Sequence, residues 1–475
     1  MIEAGRCSLN IRHCSKARHA ILCLSQIREE ARLPMKQTPV LLLLCALVVA
    51  SVPQIPRAQT ADPTLRAEIE KIKAIDNHTH VTRVVAAGEE DHEYDALPFE
   101  LLEAFPLMVR LRPDNLEYTA AWRALFGYKY SDMSEAHVKE LAEIKHRVIK
   151  ERGDGYPTWV LDRLGIETML ANRVAMGRGL TAPRFRWVSY IDALVFPLNN
   201  EAARRANLDY RAFYPAEEKL LKRYLSDQNL SALPSSFKDY LSKVVSGTLE
   251  RQKRDGAVAV KFEIAYLRSL DLYEAREEDA ARVYTRWVKG GEPPPADYKV
   301  LQDFLFRYAS REAGRLGMAV HIHVFDGGGG SYVQSGSNPT LLDSAFNDPT
   351  LRKTNFVIVH GGYPFTKSTA GMLSKPNVWA DFSAQDLLIY PRALSEVLRN
   401  WLEYYPEKVL FGTDASPSFG EIGWEETGWL AAETAREALA LALTGMINDK
   451  EITRARAIEL ARMVLRENAK KLYGF

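Results

Sequence analysis

The chain has 475 residues, 47% of them hydrophobic, which is enough for a large core in one big barrel or in two ordinary domains. A formal net charge of +1 with both signs interspersed leaves no basic footprint for nucleic acid, so the expected partner is a small molecule. All four cysteines, Cys7, Cys14, Cys23 and Cys45, lie at or before the apolar run that begins near Val40; the body therefore needs no disulfide or thiolate ligand, and any metal site must use His, Asp, Glu or Lys.

Residues 1–34 are basic and stand upstream of Met35, which opens a complete secretory signal, so they read as an extension from a start codon placed too early. From Met35 the text MKQTPVLLLLCALVVASVPQIPRAQTAD has a short basic start, an apolar run and a small-residue exit, the pattern of a signal peptide over 35–59. The apolar run is shorter than the roughly 20 residues of a spanning helix. The expectation is removal near Thr60, no stable membrane span afterwards, and a periplasmic or secreted protein; an uncleaved anchor is the alternative.

Residues 62–475 are expected to form a single domain. TLRAEIEKIKA has helical spacing and leads into the strand-like run 75–81. A mainly helical insertion follows over about 82–160, with EAHVKELAEIKHRVIKERG its clearest helix. Strands are then predicted at Glu167–Asn172, Phe185–Leu194, Ala257–Glu263, Ala319–Val324, Asn355–His360, Val378–Phe382 and Val409–Thr413, with a second helical excursion over about 200–250. Eight short apolar strands separated by helices such as YKVLQDFLFRYASREAGRLG predict an α/β fold, a (β/α)8 TIM barrel with helical insertions after strand 1 and before strand 4.

A parallel barrel delivers the C-terminal end of every strand to one face, so residues far apart in sequence converge there. His78, His80, His321, His323 and His360 fall at such ends, and Asp414 closes VLFGTD. A lone strand histidine is commonly a hydrogen-bonded core residue, but His78 and His80, two apart, face one side and can chelate one ion. His323 is placed as a ligand by its strand-end position, with His321 one layer deeper in a supporting role. His360 is a ligand or a stabiliser of a developing oxyanion, and Asp414 is a ligand and a general base, with a helix cap as its alternative. Imidazoles with a carboxylate suit a divalent metal of borderline softness, Zn2+ first. Lys261, in the middle of the apolar run VAVKFEIAYLRSL, is either carboxylated, and then a bridging ligand for a second ion, or cationic and paired with Glu263 or a substrate carboxylate. Tyr266 and Arg268, just beyond that strand, are candidates for binding a substrate carboxylate. The four glycines at 327–330 permit lid motion or are a simple connection.

The His-x-His strand, the strand-four lysine, the later strand-end histidines and the Phe-Gly-Thr-Asp segment resemble the amidohydrolase superfamily, specifically its amidohydrolase-related branch containing aminocarboxymuconate semialdehyde decarboxylase. KFEIAYLRSL and VIVHGGYPF look like segments of the nodulin-like domains fused to glutamine synthetases. The resemblance covers most of residues 70–475 and implies His78, His80, Lys261, His323, His360 and Asp414 as the metal site, with Asp76 at the usual aspartate before His-x-His. Phe-Glu and Tyr-Leu-Arg after Lys261 depart from the binuclear hydrolases, which leaves one or two ions open.

The expected activity is hydrolysis of a C–N or C–O bond in a small, carboxylate-bearing compound by metal-activated water. A metal-dependent decarboxylase of the same fold is the alternative, and a non-catalytic metal-binding barrel a third reading. A homo-oligomer is compatible with the sequence and is not specified by it.

Overall fold

A computed structural model describes residues 60–86, 89–102 and 105–475. The expected extension and signal at 1–59, with all four cysteines, lie outside the described residues. Eight strands form one parallel sheet in sequence order: β1 Ala74–Thr79, β2 Ile166–Arg173, β3 Phe185–Tyr190, β4 Ala257–Phe262, β5 Ala319–His323, β6 Phe356–Val359, β7 Val378–Asp381 and β8 Val409–Leu410. The barrel closes between β8 and β1 through Asn77 N–H to Phe411 O (2.9 Å), Asp414 N–H to His78 O (2.8 Å) and His80 N–H to Ala415 O (2.7 Å). This is the (β/α)8 barrel that eight alternating apolar runs imply.

Strand ends differ from the sequence reading where the backbone turns to present a side chain. β3 stops at Tyr190, and Asp192–Leu194 form a short 3-10 turn in place of more strand. β6 stops before His360, because His360 adopts a positive φ of 64°, which extended pairing does not allow; the β8 ladder stops at Leu410, and Asp414 also has a positive φ of 56°. The described residues between 82 and 116 are mostly irregular with two short 3-10 turns, rather than helical, and include Pro98, Pro106 and Pro113. Helices Glu117–Phe126, Glu135–Arg152 and Tyr156–Leu164 complete that insertion.

The insertion before β4 is helical, with Phe213–Asp227 and Gly247–Arg254 flanking a π-helical turn at Tyr240–Ser246. Its tyrosines fasten it to the barrel: Tyr224 Oη donates to Tyr190 O (2.5 Å) and Tyr240 Oη to Leu194 O (2.7 Å). Inside the barrel, Ile75, Leu170, Val188, Ala259, Val357 and Leu410 pack into a small core of their own, against which Leu472, Tyr473 and Phe475 of the C-terminal segment also pack. The barrel is thus a packed core rather than a pore, and polar groups are concentrated at its other end. Among the described residues no helix is long and apolar enough to cross a membrane.

Candidate metal centre

The site starts from the seam that closes the barrel. The buried Asp76 carboxylate accepts from Thr413 N (3.0 Å), Thr413 Oγ1 (2.6 Å) and His78 N (3.2 Å), locking β1 to the segment after β8. Thr413 is followed by Asp414 in left-handed backbone, a conformation that aspartate tolerates better than most residues. That turn sets Asp414 Oδ1 between two imidazoles, 3.3 Å from His78 Nε2 and 3.4 Å from His80 Nε2. His78 is fully buried, whereas the Asp414 side chain keeps 23% exposure and so faces the opening.

Two more histidines join from β5 and the end of β6. Ring centroids are 5.0 Å apart for His78 and His80, 4.9 Å for His78 and His360, and 4.7 Å for His323 and His360. The Lys261 Nζ comes to 3.3 Å from His78 Nε2 and 3.8 Å from Glu263 Oε1. His323 is buried with neither ring nitrogen hydrogen-bonded. Buried imidazole nitrogens without partners are costly, and a nitrogen-and-oxygen donor set of this kind fits a divalent ion.

Surrounding groups fix the ligand rings. Asn172, at the end of β2, places its amide nitrogen 2.8 Å from His78 Nδ1. Asp95 approaches His80 Nδ1 at 2.7 Å and Tyr190 Oη lies 3.1 Å from the same nitrogen. The His360 ring is held by Ser383 Oγ at its Nδ1 (3.0 Å), and its backbone N–H donates to the Asp381 carboxylate (2.9 Å). Such partners set tautomer and orientation.

Electrostatics divide the histidines. Burial, and then the Lys261 charge, hold His78 and His323 well below the usual imidazole range, so both offer lone pairs at neutral pH. Burial also lowers His360. Burial opposes protonation of His80 too, but the Asp95 and Asp414 carboxylates outweigh it and raise this imidazole to about 10. Against the cost of burial, His360, His80 and Lys261 keep the Asp414 carboxyl below its ordinary value, so it is an acceptor.

The residues singled out from sequence fall in three places. His78, His80, His323, His360, Lys261 and Asp414 gather at the barrel mouth, with the Tyr266 ring 4.2 Å from that of His323. His321 lies deeper, its Nε2 2.7 Å from Tyr473 Oη. Arg268 is engaged by Asp303 (2.8 Å), Gln302 (3.1 Å) and Asp271 (3.5 Å), beside a cleft of about 640 Å3 that Asn207, Tyr214, Tyr266 and Tyr332 also line. The glycine loop is clamped: the Asp209 carboxylate accepts from Gly330 N (3.1 Å) and Ser331 N (2.8 Å), and Tyr210 Oη donates to Gly328 O (2.9 Å).

Sequence reasoning missed Asn172, Asp95, Tyr190 and Ser383. Asn172 carried a signal, a polar residue ending an otherwise apolar strand; Asp95, in an irregular insertion, carried none.

The amidohydrolase family profile matches residues 200–475. The chain is 26% identical over 229 residues to protein fluG of Emericella nidulans, a stretch that is 46% of this chain and only 25% of that longer relative. Among solved structures, glucuronate isomerase from Caulobacter crescentus is similar with a TM-score of 0.56 at 13% identity, covering 89% of this chain and 97% of that one. A candidate metal-dependent hydrolase from Lactobacillus casei is similar with a TM-score of 0.52 at 17% identity, covering 88% of this chain and 98% of that one. At such identities these two likenesses establish the fold alone.

Proposed function

Because the chain belongs to the amidohydrolase family, we propose that it is a metal-dependent hydrolase that cleaves a C–N or C–O bond in a small, carboxylate-bearing compound. The carrying observation is Asp414 Oδ1 poised 3.3 and 3.4 Å from the Nε2 atoms of His78 and His80, next to the unpartnered imidazole of His323. His78, His80, His323 and Asp414 would hold the ion, Zn2+ by donor type, with His360 and Lys261 beside them. When bound, a divalent cation polarises a substrate carbonyl and makes water more acidic.

The protein's own groups supply the rest. Asp414, ionised and facing the opening, takes a proton from the attacking water and returns it to the leaving group. His360, fixed through Nδ1 by Ser383, presents its other edge toward the reacting centre and stabilises a developing oxyanion. Burial holds the Tyr266 phenol well above its ordinary range, so it stays protonated and donates to the substrate. Arg268, on the wall of the adjoining cleft, serves the distal carboxylate once it exchanges Asp303 for substrate. Lys261 close to His78 Nε2 supports carboxylation and cationic pairing equally.

Within the family, KFEIAYLRSL and VIVHGGYPF support the nodulin-like segment of the amidohydrolase-related branch. The signal-like run from Met35 supports export, which cell fractionation tests.

The test of function is metal analysis of the purified chain with a panel of amide and ester substrates. The wild type is expected to hold at least one divalent ion and to turn over at least one substrate, and His78→Ala to hold one ion fewer and lose turnover while keeping its circular dichroism. Undiminished metal in His78→Ala would overturn the reading, and carbon dioxide among the products would replace hydrolysis by decarboxylation.

A further inference from the structure

Beyond the histidine cluster lies a second concentration of buried charge that the hydrolytic reading does not use. One ligand atom each from His80, Asp95 and Glu263 lies within 4.8 Å of the other two. His80 stands between two pockets: its Nε2 is turned to Asp414 and its Nδ1 is 2.7 Å from Asp95 Oδ2. Glu263 is buried at the end of β4, and its Oε2 has no hydrogen-bond partner. Its backbone N–H donates to both oxygens of the buried Asp192 carboxylate, at 2.8 and 3.0 Å.

Behind these groups sits Glu217, on the helix Phe213–Asp227. It is 1% exposed, with the Ala193 backbone N–H as the hydrogen-bond donor that reaches it. Burial, together with repulsion from Asp192, Glu263 and Asp95, pushes the Glu217 carboxyl well above its ordinary range. The cations that face the group are Lys261, 3.8 Å from Glu263 Oε1, and His80 when protonated. Glu263 Oε2 is thus left as a buried, donor-free oxygen beside the His80–Asp95 pair, which is costly unless a cation or donor meets it.

We propose that His80, Asp95 and Glu263 form a second cation site, distinct from the His78, His80 and Asp414 group, which takes a divalent ion of oxygen preference such as Mn2+ or Mg2+ in exchange for the proton between His80 Nδ1 and Asp95, which leaves to solvent. Two carboxylates and one imidazole are a harder donor set than the histidine cluster. Because Asp95 comes from the long insertion after β1 and Glu263 from β4, the ion ties that insertion to the barrel mouth. This goes beyond the hydrolase reading and shares with it only His80.

The test is titration of the chelator-stripped full chain with Mn2+, followed by electron paramagnetic resonance of the free ion. Wild type is expected to bind two ions, His78→Ala one, and the isosteric Glu263→Gln one. Asp95→Asn, a rim residue, gives the same readout as Glu263→Gln if the latter does not fold. Equal binding by wild type and Glu263→Gln overturns the proposal. A single wild-type ion lost in His78→Ala and kept in Glu263→Gln also overturns it, leaving the hydrolase centre standing. A single ion with the reverse pattern upholds this site and removes the other centre.

Discussion

Asn172 engages the His78 ring with the same amide nitrogen that donates to Thr79 O (3.0 Å), while its Oδ1 is buried without a partner. Donation to Nδ1 leaves the His78 proton on Nε2. An ion on Nε2 needs the other tautomer, with Nδ1–H donating, and the unpartnered Oδ1 is the acceptor which that tautomer requires. Asn172→Leu is therefore expected to weaken divalent binding about 10- to 100-fold, read by competition with a chelating dye. Asn172→Asp, which offers acceptors only, is expected to bind more tightly than Leu at this position. Equal affinity in wild type and the Leu variant would deny Asn172 this positioning role.

At the scale of elements, the insertion after β1 is held by one buried pair. Arg173, at the end of β2, donates to both oxygens of Asp91 (2.8 and 2.9 Å) and to Val81 O (2.7 Å), while Asp91 also accepts from the Arg83 N–H (2.9 Å). Asp91→Asn would leave the Arg173 charge buried without its counterion, a loss of about 3 kcal/mol measurable by urea unfolding. Burial alone would raise the Asp91 carboxyl above its ordinary 3.8, but Arg173 and the backbone N–H groups bring it below. A depressed folded value means that the unfolded chain binds more protons. The contribution is thus present above 3.8 and disappears as pH falls through the lower folded value. Asp91→Asn should flatten that acid limb of the stability curve, and an unchanged slope would show that other carboxylates control it. The same insertion carries Asp95 onto His80, so the anchoring pair and the site are mechanically linked.

Across the whole molecule, the proposed ligands come from β1, β5 and the turn after β8, so one ion would join the first strand to the last and to the far wall. An ion that binds only the folded chain stabilises it, by about 2.7 kcal/mol at a hundredfold excess over its Kd. Chelation is expected to lower the wild-type melting temperature by several degrees in calorimetry and to lower that of His78→Ala by less. A fall of equal size in both proteins would place the stabilising ion elsewhere.

The eight apolar runs, the His-x-His pair and the strand-end histidines were legible in the sequence, because strand burial and alternation are local properties of the chain. Those local patterns determined the barrel and the histidine cluster. Only the tertiary structure decided that the described residues between 82 and 116 are mostly irregular and that Asp95 meets His80. It also decided that Glu217 and Asp192 stand behind Glu263, and that Arg268 is engaged by Asp303. The reason is physical: a carboxylate on an irregular loop or an amphipathic helix looks the same whether it meets water or a buried imidazole. Which of the two it meets is set by chain closure over many residues rather than by its neighbours in sequence.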